Sequence, residues 1–205
     1  MILIEIEGVD GAGTSSVLRG LMNWKWLKNW ATEIVFTMEP SEGPVGDFIR
    51  EILERKKALG DGPNLNSMLA HLFVCDRLWH LDRLMISDSK HKVVITDRYK
   101  TSSIVYQGRE AACLNLGIRE ADLSILIDVD LETAINRITK RRENKSIFES
   151  TDTIAHHIKK YKELARLLRF TIIDGTEDLD NVVSNTKIAI QQFLQMRPEN
   201  LLNTT

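Results

Sequence analysis

Apolar and β-branched residues gather in five short runs: Ile2–Ile6, Glu33–Phe36, Lys92–Thr96, Leu123–Ile127 and Phe170–Ile173. Each has the length of an ordinary strand, and the stretches between them carry helical periodicity. Strands alternating with helices predict βαβ units, hence an α/β fold with a parallel sheet covered on both faces. Four runs end at polar or turn-forming residues: Gly8, Asp97, Asp128 and Asp174-Gly175. Ligands of such sheets lie beyond the carboxyl ends of the strands. The pattern therefore puts the Gly8 loop, Asp97 and the Gly175 turn on one rim. Asp128 reads better as the cap of the next helix.

The composition changes this picture little. At 205 residues the chain suits one domain with a full core, spanning 1–205. A formal net charge of −2, with 43% hydrophobic and 27% charged residues, gives no electrostatic reason to expect a nucleic-acid or membrane partner. Cys75 and Cys113 are too few for a disulfide scaffold, which points to a reducing, cytoplasmic setting. No apolar run approaches the ~18 residues of a membrane span, and the chain leaves no room for a leader before its first strand. The end, about 197–205, reads as frayed. Trp24, Trp26 and Trp30, set among Lys25 and Lys28, read as core or edge packing.

Chemistry enters at Gly8-Val9-Asp10-Gly11-Ala12-Gly13-Thr14-Ser15-Ser16. Gly8, Gly13 and Ser15 keep the spacing G-x-x-x-x-G-K-[ST], but Thr14 stands in the lysine's place. A strand before and a helix after are the context a phosphate loop requires. Its glycines let backbone N–H groups turn toward phosphate oxygens, and the helix N-terminus adds positive potential. Gly8, Asp10, Gly11, Ala12, Gly13, Thr14, Ser15 and Ser16 thus form a candidate cradle for ATP, with Ser15 placed to ligate Mg²⁺. Four further segments stand out: Glu39-Pro40 with Gly43-Pro44-Val45-Gly46 and Arg50; a helix bearing Phe73, Asp76, Arg77 and His80; Asp97-Arg98-Tyr99 leading into Ser102-Ser103-Ile104-Val105-Tyr106-Gln107-Gly108; and a basic stretch from Arg137 to Lys145. Arg50 and Arg98 suit a phosphate clamp, because guanidinium forks match phosphate oxygens. Phe73 offers a flat face on which a base can stack.

Together these blocks resemble the thymidylate kinase family, from the first strand to about residue 190. The resemblance implies a P-loop NTPase-type three-layer sandwich with a five-stranded parallel sheet, a lid at about 137–150, and a homodimer. It implies γ-phosphate transfer from ATP to dTMP with Mg²⁺. By the same resemblance Phe73 stacks on thymine, with Arg77 reaching the base edge or a phosphate, and Ser103 and Gln107 bond the pyrimidine. Tyr106 crowds the sugar, Asp10 touches the 3′-hydroxyl, Asp97 sits by the metal and reacting phosphates, and Glu39 orders the same network. The family's lid supplies arginines when the fourth loop position has none. That position is Gly11 here, so Arg141 and Arg142 are the expected donors. Arg137, at the start of the lid, joins the ATP-binding residues or is only part of a solvated helix face.

Two departures stand against this pattern: Thr14 for the loop lysine, and Met38 for the arginine that precedes Glu-Pro in bacterial relatives. Three functions therefore remain open: a working dTMP kinase, a kinase for another pyrimidine monophosphate such as dUMP, and a catalytically impaired nucleotide-binding relative.

Overall fold

The computed structural model describes residues 1–59, 64–86, 91–141 and 150–197, with the backbone alone for 56–59 and 141. The strands are β1 (Ile2–Glu7), β2 (Glu33–Met38), β3 (Lys92–Asp97), β4 (Leu123–Asp128) and β5 (Thr171–Asp174). All pair in parallel, in the order β2-β3-β1-β4-β5, with Ile4 opposite Ile95 on one side and Leu123 on the other. Every residue of β1 and β3 is buried, as a parallel sheet sandwiched between helices demands.

The described helices are α1 (Thr14–Leu21), α2 (Lys25–Trp30), α3 (Pro44–Leu59), α4 (Leu65–Met85), α5 (Lys100–Gln107), α6 (Arg109–Leu114), α7 (Leu131–Arg141), α8 (Thr151–Leu167) and α9 (Leu179–Gln195). Side chains alternate across the sheet. Ile2, Ile4 and Ile6 enter a large core that α1, α7, α8 and α9 cover. Leu3 and Val94 enter a smaller one with Leu81 and Leu84 of α4. On that second face the alternation continues into Glu5 and Glu7, both buried.

The elements follow the sequence pattern with local differences. Helix α1 begins at Thr14, inside the glycine-rich loop, because the Gly13 carbonyl accepts both the Ser16 and Val17 amides. β5 begins one residue late: the Phe170 amide closes the end of α8 on the Ala165 carbonyl at 2.8 Å. The assignment of Asp128 as a cap is wrong. Helix α7 starts at Leu131, so its cap is Asp130, whose Oδ1 accepts the Thr133 amide at 2.7 Å. Asp128 instead pairs with Lys162 at 3.1 Å. The three tryptophans stack in series, Trp24 on Trp26 at 5.1 Å and Trp26 on Trp30 at 6.5 Å, and pack against the large core. Arg197 is tied to Asp122 at 2.5 Å, and residues 198–205 lie outside the described ones. Cys75 and Cys113 are free and exposed, and no described helix is long and apolar enough to cross a membrane.

Candidate active site

The turn after β1 is shaped by its glycines. Gly11 adopts φ +87°, and a Cβ there would lie 2.5 Å from the Ala134 carbonyl oxygen, so α7 closes on the loop only across a bare backbone. Helix α1 has no side-chain cap and no acidic residue in its first turn. Its first amides and its positive end are left for an anion. Thr14 is buried at the first helical position. The guanidinium of Arg137 donates to the Ala12 carbonyl at 3.2 Å. Beside it a cavity of about 160 Å³ is lined by Ala12, Gly13, Ser16, Arg137, Gly175 and Glu177. The phosphate loop and the Gly175 turn therefore do share a rim, as the strand ends predict.

Asp97, at the tip of β3, faces the same loop. Its Oδ2 accepts the Ser15 hydroxyl at 2.5 Å, while its buried Oδ1 has no hydrogen-bond partner among the described residues. An unsatisfied buried carboxylate oxygen is costly unless a cation or water completes it. A hydroxyl and a carboxylate are the oxygen donors Mg²⁺ takes when substrate phosphates and water supply the remainder. These residues fit the metal.

Arg98 follows with φ +71°, a conformation that non-glycine residues rarely hold. Two bonds keep it there: its amide donates to the Ile6 carbonyl at 2.9 Å, and the Thr96 hydroxyl donates to its carbonyl at 2.8 Å. The turn swings the guanidinium onto Asp10 at 2.5 Å and over the Tyr106 ring at 5.4 Å. Burial works against its charge, but the Tyr106 and Tyr161 phenols and the Asp10 and Asp97 carboxylates outweigh it, so its pKa stands well above the ordinary value. Asp10, Asp97, Arg98 and Tyr106 are thus brought together with Ser15.

Helix α5 has no capping side chain of its own, and Glu7 caps it from the neighbouring strand. The Glu7 carboxylate accepts the Tyr99 amide (2.8 Å), the Ser102 amide (3.1 Å) and the Ser102 hydroxyl (2.6 Å), with the Tyr161 phenol at 3.2 Å. Burial raises its pKa, and the Ser102 hydroxyl, Arg98 and the Tyr99 and Ser102 amides partly offset that rise. The anchored helix carries Ser103 and Gln107 one turn apart. Gln107 Oε1 is buried without a hydrogen-bond partner among the described residues.

Below them Arg77 is wholly buried, donating to Glu39 (2.5 Å from Nη2), to Ser103 Oγ (3.0 Å), to the Tyr99 carbonyl (3.2 Å) and to Asn115. Glu39 is held between Arg77 and His80, whose Nδ1 lies 3.9 Å away. Phe73, one turn before Arg77, is half-buried and belongs to neither hydrophobic cluster. Arg50 donates to the Pro40 carbonyl at 2.9 Å and to Asp47 at 2.5 Å. Arg142 lies outside the described residues, as does the side chain of Arg141.

Sequence reasoning missed Glu7, Tyr161 and Asn115. The one available signal was Glu5 and Glu7 alternating with isoleucines in a strand read as buried, since a buried carboxylate needs donors.

A phosphate loop at the head of a parallel sheet, facing a strand-tip carboxylate and a guanidinium, defines a P-loop nucleotide-binding protein of the α/β class. More narrowly, the chain belongs to the thymidylate kinase family, whose model, described as "Thymidylate kinase", matches residues 6–186. It is 31% identical over 198 residues to the "Probable thymidylate kinase" of Methanobrevibacter smithii, covering 96% of this chain and 97% of that one. It is 30% identical over 213 residues to the "Thymidylate kinase" of Leuconostoc mesenteroides (95% and 97% covered). Likeness to the "Probable thymidylate kinase" of Methanocaldococcus jannaschii is 34% over 190 residues (90% and 92%).

Proposed function

We propose that the protein transfers the γ-phosphate of ATP to dTMP, giving ADP and dTDP. The observation that carries this reading is the convergence of Ser15, Asp97, Asp10 and Arg98 at one end of the sheet. The donor's phosphates lie in the loop amides, with the adenine side of ATP toward Arg137 and the Gly175 turn. An oxygen of the acceptor phosphate attacks the γ-phosphorus in line; the bond to the β–γ bridging oxygen breaks, and ADP leaves. Ser15 and Asp97 would hold Mg²⁺, which offsets the charge on the transferring oxygens. On the acceptor side Arg50 and Arg98 clamp the phosphate, Phe73 stacks on the base, and Ser103 and Gln107 bond its edge. The unsatisfied Gln107 oxygen supports that last role. Asp10 touches the 3′-hydroxyl, Tyr106 crowds the sugar, and Arg77 with Glu39 holds Ser103 in place.

Thr14 offers no ammonium to the β- and γ-phosphates, so Arg141 and Arg142 of the lid take over much of that task. A positioned donor of this kind is worth about 10²–10³ in rate. Thr14 also motivates a second reading, a nucleotide-binding relative without turnover. The protein works in the cytoplasm as a homodimer on this proposal, and light scattering at about twice the chain mass checks the latter.

A coupled assay for ADP release with dTMP, dUMP and dCMP tests the whole. We expect turnover that depends on Mg²⁺ and is fastest with dTMP. Absence of dTMP-dependent ADP overturns the reaction and leaves the binding relative. Arg141→Ala and Arg142→Ala that both leave turnover unchanged overturn the compensation.

A further inference from the structure

We propose that the buried pair Asp76–Ser41 positions the acceptor-phosphate clamp, making Asp76 a positioning residue for Arg50. The inference rests on the assignment of Arg50 to the substrate phosphate. The segment from Glu39 to Arg50 leaves β2, turns, and becomes α3. Asp76, on α4, has no exposed surface, and both of its oxygens serve one residue of that turn. Oδ2 accepts the Ser41 amide at 2.7 Å and Oδ1 accepts the Ser41 hydroxyl at 2.6 Å. The same hydroxyl oxygen accepts the Gly43 amide at 3.0 Å. A buried carboxylate is tolerated only where donors surround it, so the pair fixes Ser41 firmly.

Ser41 is where the turn and α3 meet. A Cβ on Gly46 would lie 1.9 Å from the Ser41 carbonyl oxygen, which shows how closely the first turn of α3 is seated on it. Gly43 rests on the Trp79 ring, where a Cβ would come within 2.3 Å. Arg50 lies one helical turn after Gly46 and donates to the carbonyl of Pro40, the residue before Ser41. Displacing Ser41 therefore moves both the guanidinium's anchor and the helix that carries it. Asp76 also sits on the helix that presents Phe73, so one rigid element sets the base platform and the phosphate clamp together.

The test compares binding of dTMP and of thymidine by titration calorimetry in wild type, Asp76→Ala, Asp76→Asn and Ser41→Ala, with and without Arg50→Ala. Asp76→Ala should weaken dTMP by about tenfold or more, the cost of unmaking buried charge-assisted bonds, and thymidine by less than about twofold. Asp76→Asn should fall between Asp76→Ala and wild type, because one oxygen still accepts the Ser41 amide. Where circular dichroism shows Asp76→Ala unfolded, Asp76→Asn and Ser41→Ala carry the comparison, each with a dTMP-selective loss of about threefold. In the Arg50→Ala background the Asp76 change should add little, as for residues acting as one unit. Equal losses for dTMP and thymidine, full additivity with Arg50→Ala, or a wild type that does not prefer dTMP to thymidine would each overturn the inference. A wild type that prefers dTMP but releases no ADP sinks the proposed reaction and leaves this inference standing or falling on the variants alone.

Discussion

Arg98 shows how much one residue's geometry carries. Its left-handed backbone turns the guanidinium back over the rim, where it meets Asp10, Ser102, Tyr106 and Tyr161. Lysine at this position would keep a charge but lose the fork that matches a phosphate. We expect Arg98→Lys to raise the dTMP KM about tenfold or more with the ATP KM little changed, measured by initial rates. His157 makes a second prediction. It packs against Tyr106 at 4.5 Å, and burial, with help from Lys160 and His156, lowers its pKa from 6.5 to about 4. At this side chain the unfolded chain therefore binds more protons between those values, so the contribution of His157 to stability is full above pH 6.5 and declines as pH falls toward 4. Urea unfolding of wild type and His157→Gln from pH 7 to 4.5 should show that contribution as a stability difference between the two that shrinks as pH falls. At this scale the phosphate loop, Asp97 and Arg98 were legible, because glycine spacing and strand-tip polarity are local signals. The burial of Arg77 was not, because it depends on Glu39, Asn115 and Ser103, which lie 26 or more residues away in sequence.

Elements matter here through how they are anchored. Helix α5 takes its cap from Glu7 on another strand, whereas α8 supplies its own: Ser150 Oγ accepts the Thr153 amide at 3.1 Å. Removing such a cap costs about 1 kcal/mol, so Ser150→Ala should lower the melting temperature by a few degrees. Because α8 carries Tyr161 and His157, the same variant should also weaken dTMP binding more than ATP binding; equal effects would argue against that coupling. Strand and helix order could be read from hydrophobic periods. The ends could not, as Asp130 displacing Asp128 as the α7 cap illustrates: the choice depends on where α7 begins, and two aspartates two residues apart look alike in sequence.

Across the whole molecule the two halves of the site are joined by one sheet. β1 carries the phosphate loop, and β3, its hydrogen-bonded neighbour, carries Asp97 and Arg98. Ligands that bind only the folded protein stabilise it by mass action, by about 2.7 kcal/mol at one hundred times the dissociation constant. Thermal melts should therefore shift upward with ATP–Mg²⁺ and again with dTMP, and Asp97→Asn should diminish the Mg²⁺-dependent part. The parallel five-stranded architecture and the family followed from sequence alone. Hydrophobic period, glycine spacing and clustered motifs are properties of neighbours along the chain, and they survive without a fold. Which buried charges meet was decided only by the tertiary structure. Glu7 under α5, Arg77 on Glu39 and Asp76 on Ser41 are pairings between segments that the sheet order and helix packing bring together. Desolvation makes each of those charges costly until its particular partner arrives.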